Sequence, residues 1–181
     1  MPDHELVLQF VREPKFGSDM IAWFSHGQFS HVEAIWPDNP ELTYGSYEKQ
    51  VGNIRSGVQF RPVGYHELSL CVHCHIPMTE LQLSLWKSWQ LEQEYKPYDW
   101  DAILGFVAGR NWRDPGQWIC SELQARALEI CGKIPHLYLP SNRITPVALA
   151  LVCSALDGVW FERVIPSGSD ASLSHRHIVK F

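Results

Sequence analysis

The sequence predicts an α+β fold in which antiparallel strands pack with several helices. Three observations lead there. Apolar runs of strand length fill the first third of the chain, one later segment alternates cleanly, and helix start and stop signals gather in the second half. At 181 residues the chain fits one domain of ordinary size. Residues 1–181 are therefore read as a single domain, with 166–181 as a Ser-, Gly- and Asp-containing tail.

The elements follow in order. Residues 6–11 form an apolar run of strand length. Ser18 opens a helix with Met20, Trp23 and Phe24 on one face and Gly27 past its end. Strands follow at 29–36 and 42–47, separated by the turn residues Pro37, Asp38, Asn39 and Pro40. Another strand covers 58–61 and stops at Pro62. In 68–76, Leu68, Leu70, Val72, Cys74 and Ile76 point one way and Ser69, Cys71, His73 and His75 the other, as in a half-buried strand. Thr79 with Gln82 makes a capping box and Met78 with Leu83 a hydrophobic staple, so a helix starts there and is expected to run to about Tyr95. Further helices are expected from Asp99 to Gly109, from Cys120 to Gly132, and from Thr145 with Pro146 at its first position to before Gly158. Residues 159–165 and 177–181 read as strands.

Composition narrows the function. Apolar residues make up 45% of the chain, with eight Trp and eight Phe, enough to fill a core and to argue against disorder. The formal net charge of −5 disfavours nucleic acid as a partner, because neutralising phosphates takes clustered positive charge. No uncharged apolar stretch reaches the roughly 18 residues of a membrane-spanning helix. The opening residues lack the basic and apolar regions of a signal peptide, and five cysteines, an odd number, do not suggest a secreted disulfide framework. The expectation is a chain that is cytoplasmic at synthesis, with reduced thiols.

The chemistry centres on Cys120. It follows the breaker-rich Arg113-Asp114-Pro115-Gly116 and precedes the helical apolar pattern Leu123, Ala127, Leu128 and Ile130. A helix N-terminus offers free N–H groups and a positive dipole end, which favour a thiolate and could also hold the oxyanion of acyl transfer. The alternative is a small buried hydrophobe, the role read for Cys71, Cys74, Cys131 and Cys153. A nucleophilic cysteine needs a base, and His31 is the best candidate. On its strand it shares a face with Glu33, opposite Val32 and Ala34, so a carboxylate could set its tautomer. The other reading of His31 is a hydrogen-bonded structural histidine.

Taken together, Phe29-Ser30-His31-Val32, then Tyr98-Asp99-Trp100, then Cys120-Ser121-Glu122-Leu123 opening a helix, resemble a circularly permuted papain-like enzyme of the NlpC/P60 superfamily, closest to its YiiX-like group. The resemblance spans about 6–165, and it has the histidine ahead of the cysteine, as permutation requires. It implies a cysteine peptidase or amidase with Cys120 as nucleophile and His31 as general base. The substrate would be an amide, such as a peptidoglycan stem peptide; a lipid ester hydrolase or acyltransferase, or a non-catalytic binding module, are the alternatives. No cofactor is implied. The family's third polar residue would fall near Thr43-Tyr44-Gly45-Ser46, where no Glu, His or Asn stands. Glu33 or Ser46 would take the orienting role instead, or the dyad would work without it, and Tyr98 and Ser46 would line the substrate site.

A rival chemistry lies in His73-x-His75 and His175-x-His177, whose spacing on strands lets two imidazoles meet one metal. Histidines covering a wet sheet face, with no metal, are the preferred reading. Trp86 and Trp89 read as core, and Arg110-Asn111-Trp112-Arg113 as a surface loop beside Cys120.

Overall fold

A computed structural model describes residues 4–13, 28–65, 67–101, 116–137, 144–164 and 178–179. Its centre is a sheet of β1 (His4–Arg12), β2 (His31–Ile35), β3 (Leu42–Tyr47), β4 (Gly57–Pro62), β5 (Leu70–Met78), β6 (Trp160–Val164) and the two-residue β7 (Ile178–Val179). The spatial order is β4-β3-β2-β1-β5-β6-β7, and every neighbouring pair is antiparallel.

Strand alternation divides the side chains between two faces. Leu6, Leu8 and Phe10 of β1, Val32 and Ala34 of β2, Tyr44 of β3 and Cys74 and Ile76 of β5 are fully buried in the hydrophobic core. The helices α1 (Glu80–Glu92), α2 (Cys120–Ile130) and α3 (Pro146–Ser154) supply the other side of that core. The opposite face is polar yet also covered: Gln9, His31, Glu33, Thr43 and Arg61 are all buried. The half-buried reading of β5 is therefore revised, because Cys71 and His75 on its polar side are buried as well.

Each helix shows why it starts where it does. Thr79 Oγ1 accepts from Gln82 N–H and the Gln82 side chain accepts from Thr79 N–H, the full capping box. The helix closes at Glu92 rather than Tyr95. Tyr95 takes a left-handed φ of 66° and donates its N–H to Val58 O at 2.8 Å, so the chain leaves the helix to edge β4. Thr145 caps α3 by accepting from Ala148 N–H, with Pro146 at the start, and that helix ends at Ser154. Trp100 and Asp101 are helical, while the remainder of the 99–109 helix, the 18–27 helix, the 110–113 loop and most of the 166–181 tail lie outside the described residues.

Two packing details matter for the site. Helix α2 packs across β2 and β3, and Gln124 on it accepts from Gln90 Nε2 (2.8 Å) and donates to Tyr44 O (3.2 Å). Tyr44 Oη in turn donates to Gln90 O at 2.6 Å, tying β3, α1 and α2 together. Trp86 is fully buried against Trp36, as a core residue; Leu81 and Leu85 face outward on α1.

Candidate active site

Cys120 is the first residue of α2, and the segment that precedes it is pinned. Ser46 Oγ donates to Trp118 O at 2.6 Å, Asp99 N–H donates to the same oxygen at 3.3 Å, and Trp118 Nε1 donates to Gln93 Oε1 at 3.2 Å. Ile119 occupies the N-cap and makes no side-chain cap. The first-turn N–H groups are thus not occupied by a capping side chain, and the helix dipole adds positive potential beside the sulfur. On the far side, Ser121 Oγ donates to Ile144 O at 2.5 Å.

His31 begins β2 at the pole of the sheet where β3 ends. Its ring meets Tyr47 edge-on at 5.2 Å between centroids. Burial opposes a charge on this imidazole, but hydrogen-bonding and charge contact with Cys120, and then with Glu33, outweigh it and raise its pKa well above the usual histidine value. Its Nε2 stands 3.6 Å from Glu33 Oε2.

Glu33 is 1% exposed. Gln9 Nε2 donates to its Oε1 at 3.2 Å and Tyr65 Oη to its Oε2 at 3.1 Å. The β2–β3 register sets Gly45 beside it, and a Cβ on Gly45 would fall 3.0 Å from Glu33 Cβ. The carboxylate behind the histidine is thus carried by β2 itself, and the neighbouring strand leaves it room.

Cys120, His31 and Glu33 therefore stand together. Tyr98 is buried next to them: burial first, then Cys120, Glu48, Asp99 and Glu13, hold its phenol well above its ordinary pKa. Ser46 is fully buried with its hydroxyl on Trp118 O, beneath the segment leading into Cys120. Sequence reasoning missed Gln9, Tyr47 and Tyr65. Gln9 had a signal, being a lone polar residue inside an apolar strand run; the two tyrosines had none, since their roles depend on cross-strand register.

Three of the other thiols are held protonated by their surroundings. Burial, with Glu33 adding, pushes Cys71 up to about 12. A hydrogen bond with Cys153, then burial, drives Cys74 higher still, and burial raises Cys131. The strand histidines are occupied: His73 Nε2 meets Gln9 Oε1 at 3.1 Å, and His75 Nδ1 meets Glu5 Oε1 at 2.8 Å while its ring stacks on Trp160 at 3.7 Å. Among the described residues no three His, Cys, Asp or Glu side chains are grouped to hold a metal ion, and His175 and His177 lie outside them. No described helix is long and apolar enough to cross a membrane.

No protein-family model matches the chain, and no curated protein matches it in sequence.

Proposed function

We propose that this chain is a cysteine hydrolase built on a circularly permuted papain-like fold, with Cys120 as nucleophile, His31 as acid and base, and Glu33 as the positioning carboxylate. The observation that carries the reading is the contact of a helix-N-terminal thiol with a buried imidazole that has a carboxylate 3.6 Å behind it. Glu33 takes the Nε2 side of the ring, leaving Nδ1 for the sulfur.

In the mechanism, the Cys120 thiol gives its proton to His31, and its sulfur attacks the substrate carbonyl carbon, forming a C–S bond while the carbonyl π electron pair moves to oxygen. First-turn N–H groups of α2 hold that oxyanion. The intermediate collapses, the bond to the leaving nitrogen or oxygen breaks, and the leaving group takes the proton from His31. Water then gives a proton to His31 and attacks the thioester carbon; the C–S bond breaks, the acid leaves, and His31 returns the proton to the Cys120 sulfur. The same steps serve amides and esters.

Alkylation with iodoacetamide at neutral pH, read by peptide mass spectrometry, tests the reading. Cys120 should label faster than the other four cysteines, and Cys120→Ala should abolish turnover of an activated ester with little change in melting temperature. Labelling no faster than Cys71, or full activity in the alanine variant, would leave a non-catalytic binding module in its place.

A further inference from the structure

The polar face of the sheet carries a lateral row of four side chains, one from each of four strands. Glu33 of β2 pairs with Gln9 of β1, Gln9 with His73 of β5, and His73 with Glu162 of β6. Directly opposed residues of antiparallel strands project to the same face, so the row runs three strand spacings, about 14 Å, from beside His31 to the partly exposed Glu162. Its hydrogen bonds have one direction. The Glu33 carboxylate only accepts, so the Gln9 amide presents Nε2 to Glu33 Oε1, at 3.2 Å. Gln9 Oε1 is left facing β5, where His73 Nε2 lies 3.1 Å away. A carbonyl oxygen also only accepts, so His73 Nε2 carries a proton. Burial, and then His75, keep this ring below the usual histidine pKa against the pull of Glu162, which makes it the neutral Nε2–H tautomer at neutral pH. Turned over, the Gln9 amide would set its oxygen against the carboxylate and its NH2 against the His73 N–H, and both bonds would be lost together.

We propose that His73 is a positioning residue for the dyad: donation from its Nε2 fixes the Gln9 amide in the orientation that holds Glu33 behind His31. This rests on the hydrolase reading for its effect on turnover, and not for the coupling along the row. The influence of His73 reaches Cys120 through Gln9, Glu33 and His31 in turn. His75 stands in a different row, opposite Val7 and Trp160, and its Nδ1 meets Glu5, so it does not hold Gln9. The other oxygen of Glu33 is fixed independently, by Tyr65 Oη at 3.1 Å, and faces His31 Nε2 at 3.6 Å. That asymmetry makes the row reversible by one substitution. In Glu33→Gln the oxygen of the new amide stays on the side where Tyr65 donates and His31 lies, and its NH2 turns to Gln9. Gln9 must then present Oε1 to β2, its own NH2 faces His73, and His73 must accept at Nε2 with its proton moved to Nδ1.

Proton–nitrogen correlation NMR of the imidazoles in the whole chain tests the coupling without reference to activity. At neutral pH His73 should carry its proton on Nε2 in the wild type and on Nδ1 in Glu33→Gln. A proton on Nδ1 in the wild type, or the same nitrogen protonated in both proteins, overturns the coupling; wild-type turnover of an activated ester then leaves the hydrolase reading standing. Turnover is read in His73→Phe, which keeps a flat ring and removes the donor: kcat should fall about fivefold with KM little changed. His73→Gln, whose amide can donate to Gln9 Oε1, should recover most of that loss. Gln9→Met breaks the row one step nearer the dyad and should lower kcat at least as far, which serves should His73→Phe not fold. A wild-type kcat in either variant, or a loss that His73→Gln does not recover, overturns the positioning role. Tautomer inversion without wild-type turnover of any ester keeps the coupled row and removes the hydrolase reading together with the positioning role.

Discussion

Glu33 is a charge in a place where almost no water reaches it, and its surroundings show why it is tolerated. Two neutral donors, Gln9 and Tyr65, hold its oxygens, and His31 shares its charge at 3.6 Å. Replacing it with Gln keeps the shape and removes the charge that helps keep His31 protonated. The His31 pKa should then fall, and the basic limb of the kcat/KM profile should move down in pH with it. An unshifted limb would show that Glu33 does not act through the imidazole. The sign for stability follows from the same shift. His31 has a folded pKa above its unfolded value, so the stabilisation is fully present below about pH 6.5 and disappears as pH rises through the raised folded value. Urea midpoints should fall over that interval in the wild type and over a lower interval in Glu33→Gln. Gly45 belongs to the same account. Gly45→Ala puts a methyl 3.0 Å from Glu33 Cβ, so it should lower kcat/KM about tenfold or more by displacing the carboxylate, with far-ultraviolet dichroism unchanged. Full activity in that variant would mean β2 can shift without harm.

At the scale of elements, local rules were legible where the signal was local. Thr79 and Gln82 lie three residues apart, and both bonds of their capping box are present. Thr79→Ala should therefore cost about 1 kcal/mol in urea unfolding; a loss below about 0.3 kcal/mol would show that packing alone sets the start of α1. The Cys120 helix start and the β3 limits were equally plain, since breakers and turn residues flank them. The end of α1 was not, because it is set by Val58 O, a partner on another strand, and not by any stop signal near Tyr95. His31 and Glu33 could be placed on one face by alternation. Their joining to Gln9 and Tyr65, 24 and 32 positions from Glu33, required register that periodicity does not contain. The burial of the polar face was hidden for a related reason: strand alternation tells which side a residue faces and says nothing of what covers that side.

For the whole molecule, the polar face is the unusual layer, and Arg61 is its keystone. It is 1% exposed, and its guanidinium donates to the carbonyls of Gly57 (2.9 Å), Gly45 (3.1 Å) and Arg55 (3.1 Å). The same group lies over the rings of Tyr47 (5.4 Å) and Tyr65 (5.8 Å), the residues that touch His31 and Glu33. One planar fork thus joins β3, the loop into β4 and both tyrosines. Arg61→Ala would strand several buried carbonyls and remove one of the two cations near Glu33, the other being His31. The expected cost is about 3 kcal/mol or more in urea unfolding. Lysine has the charge without the fork, so Arg61→Lys should recover only part of that loss. Both variants should also lower the His31 titration midpoint measured by NMR, because a displaced Tyr65 frees Glu33 to move from the ring. If Arg61→Ala unfolds within about 1 kcal/mol of the wild type, or His31 titrates unchanged, the covered polar face is not the frame that holds the dyad, and the core beneath α2 alone positions Cys120 against β2.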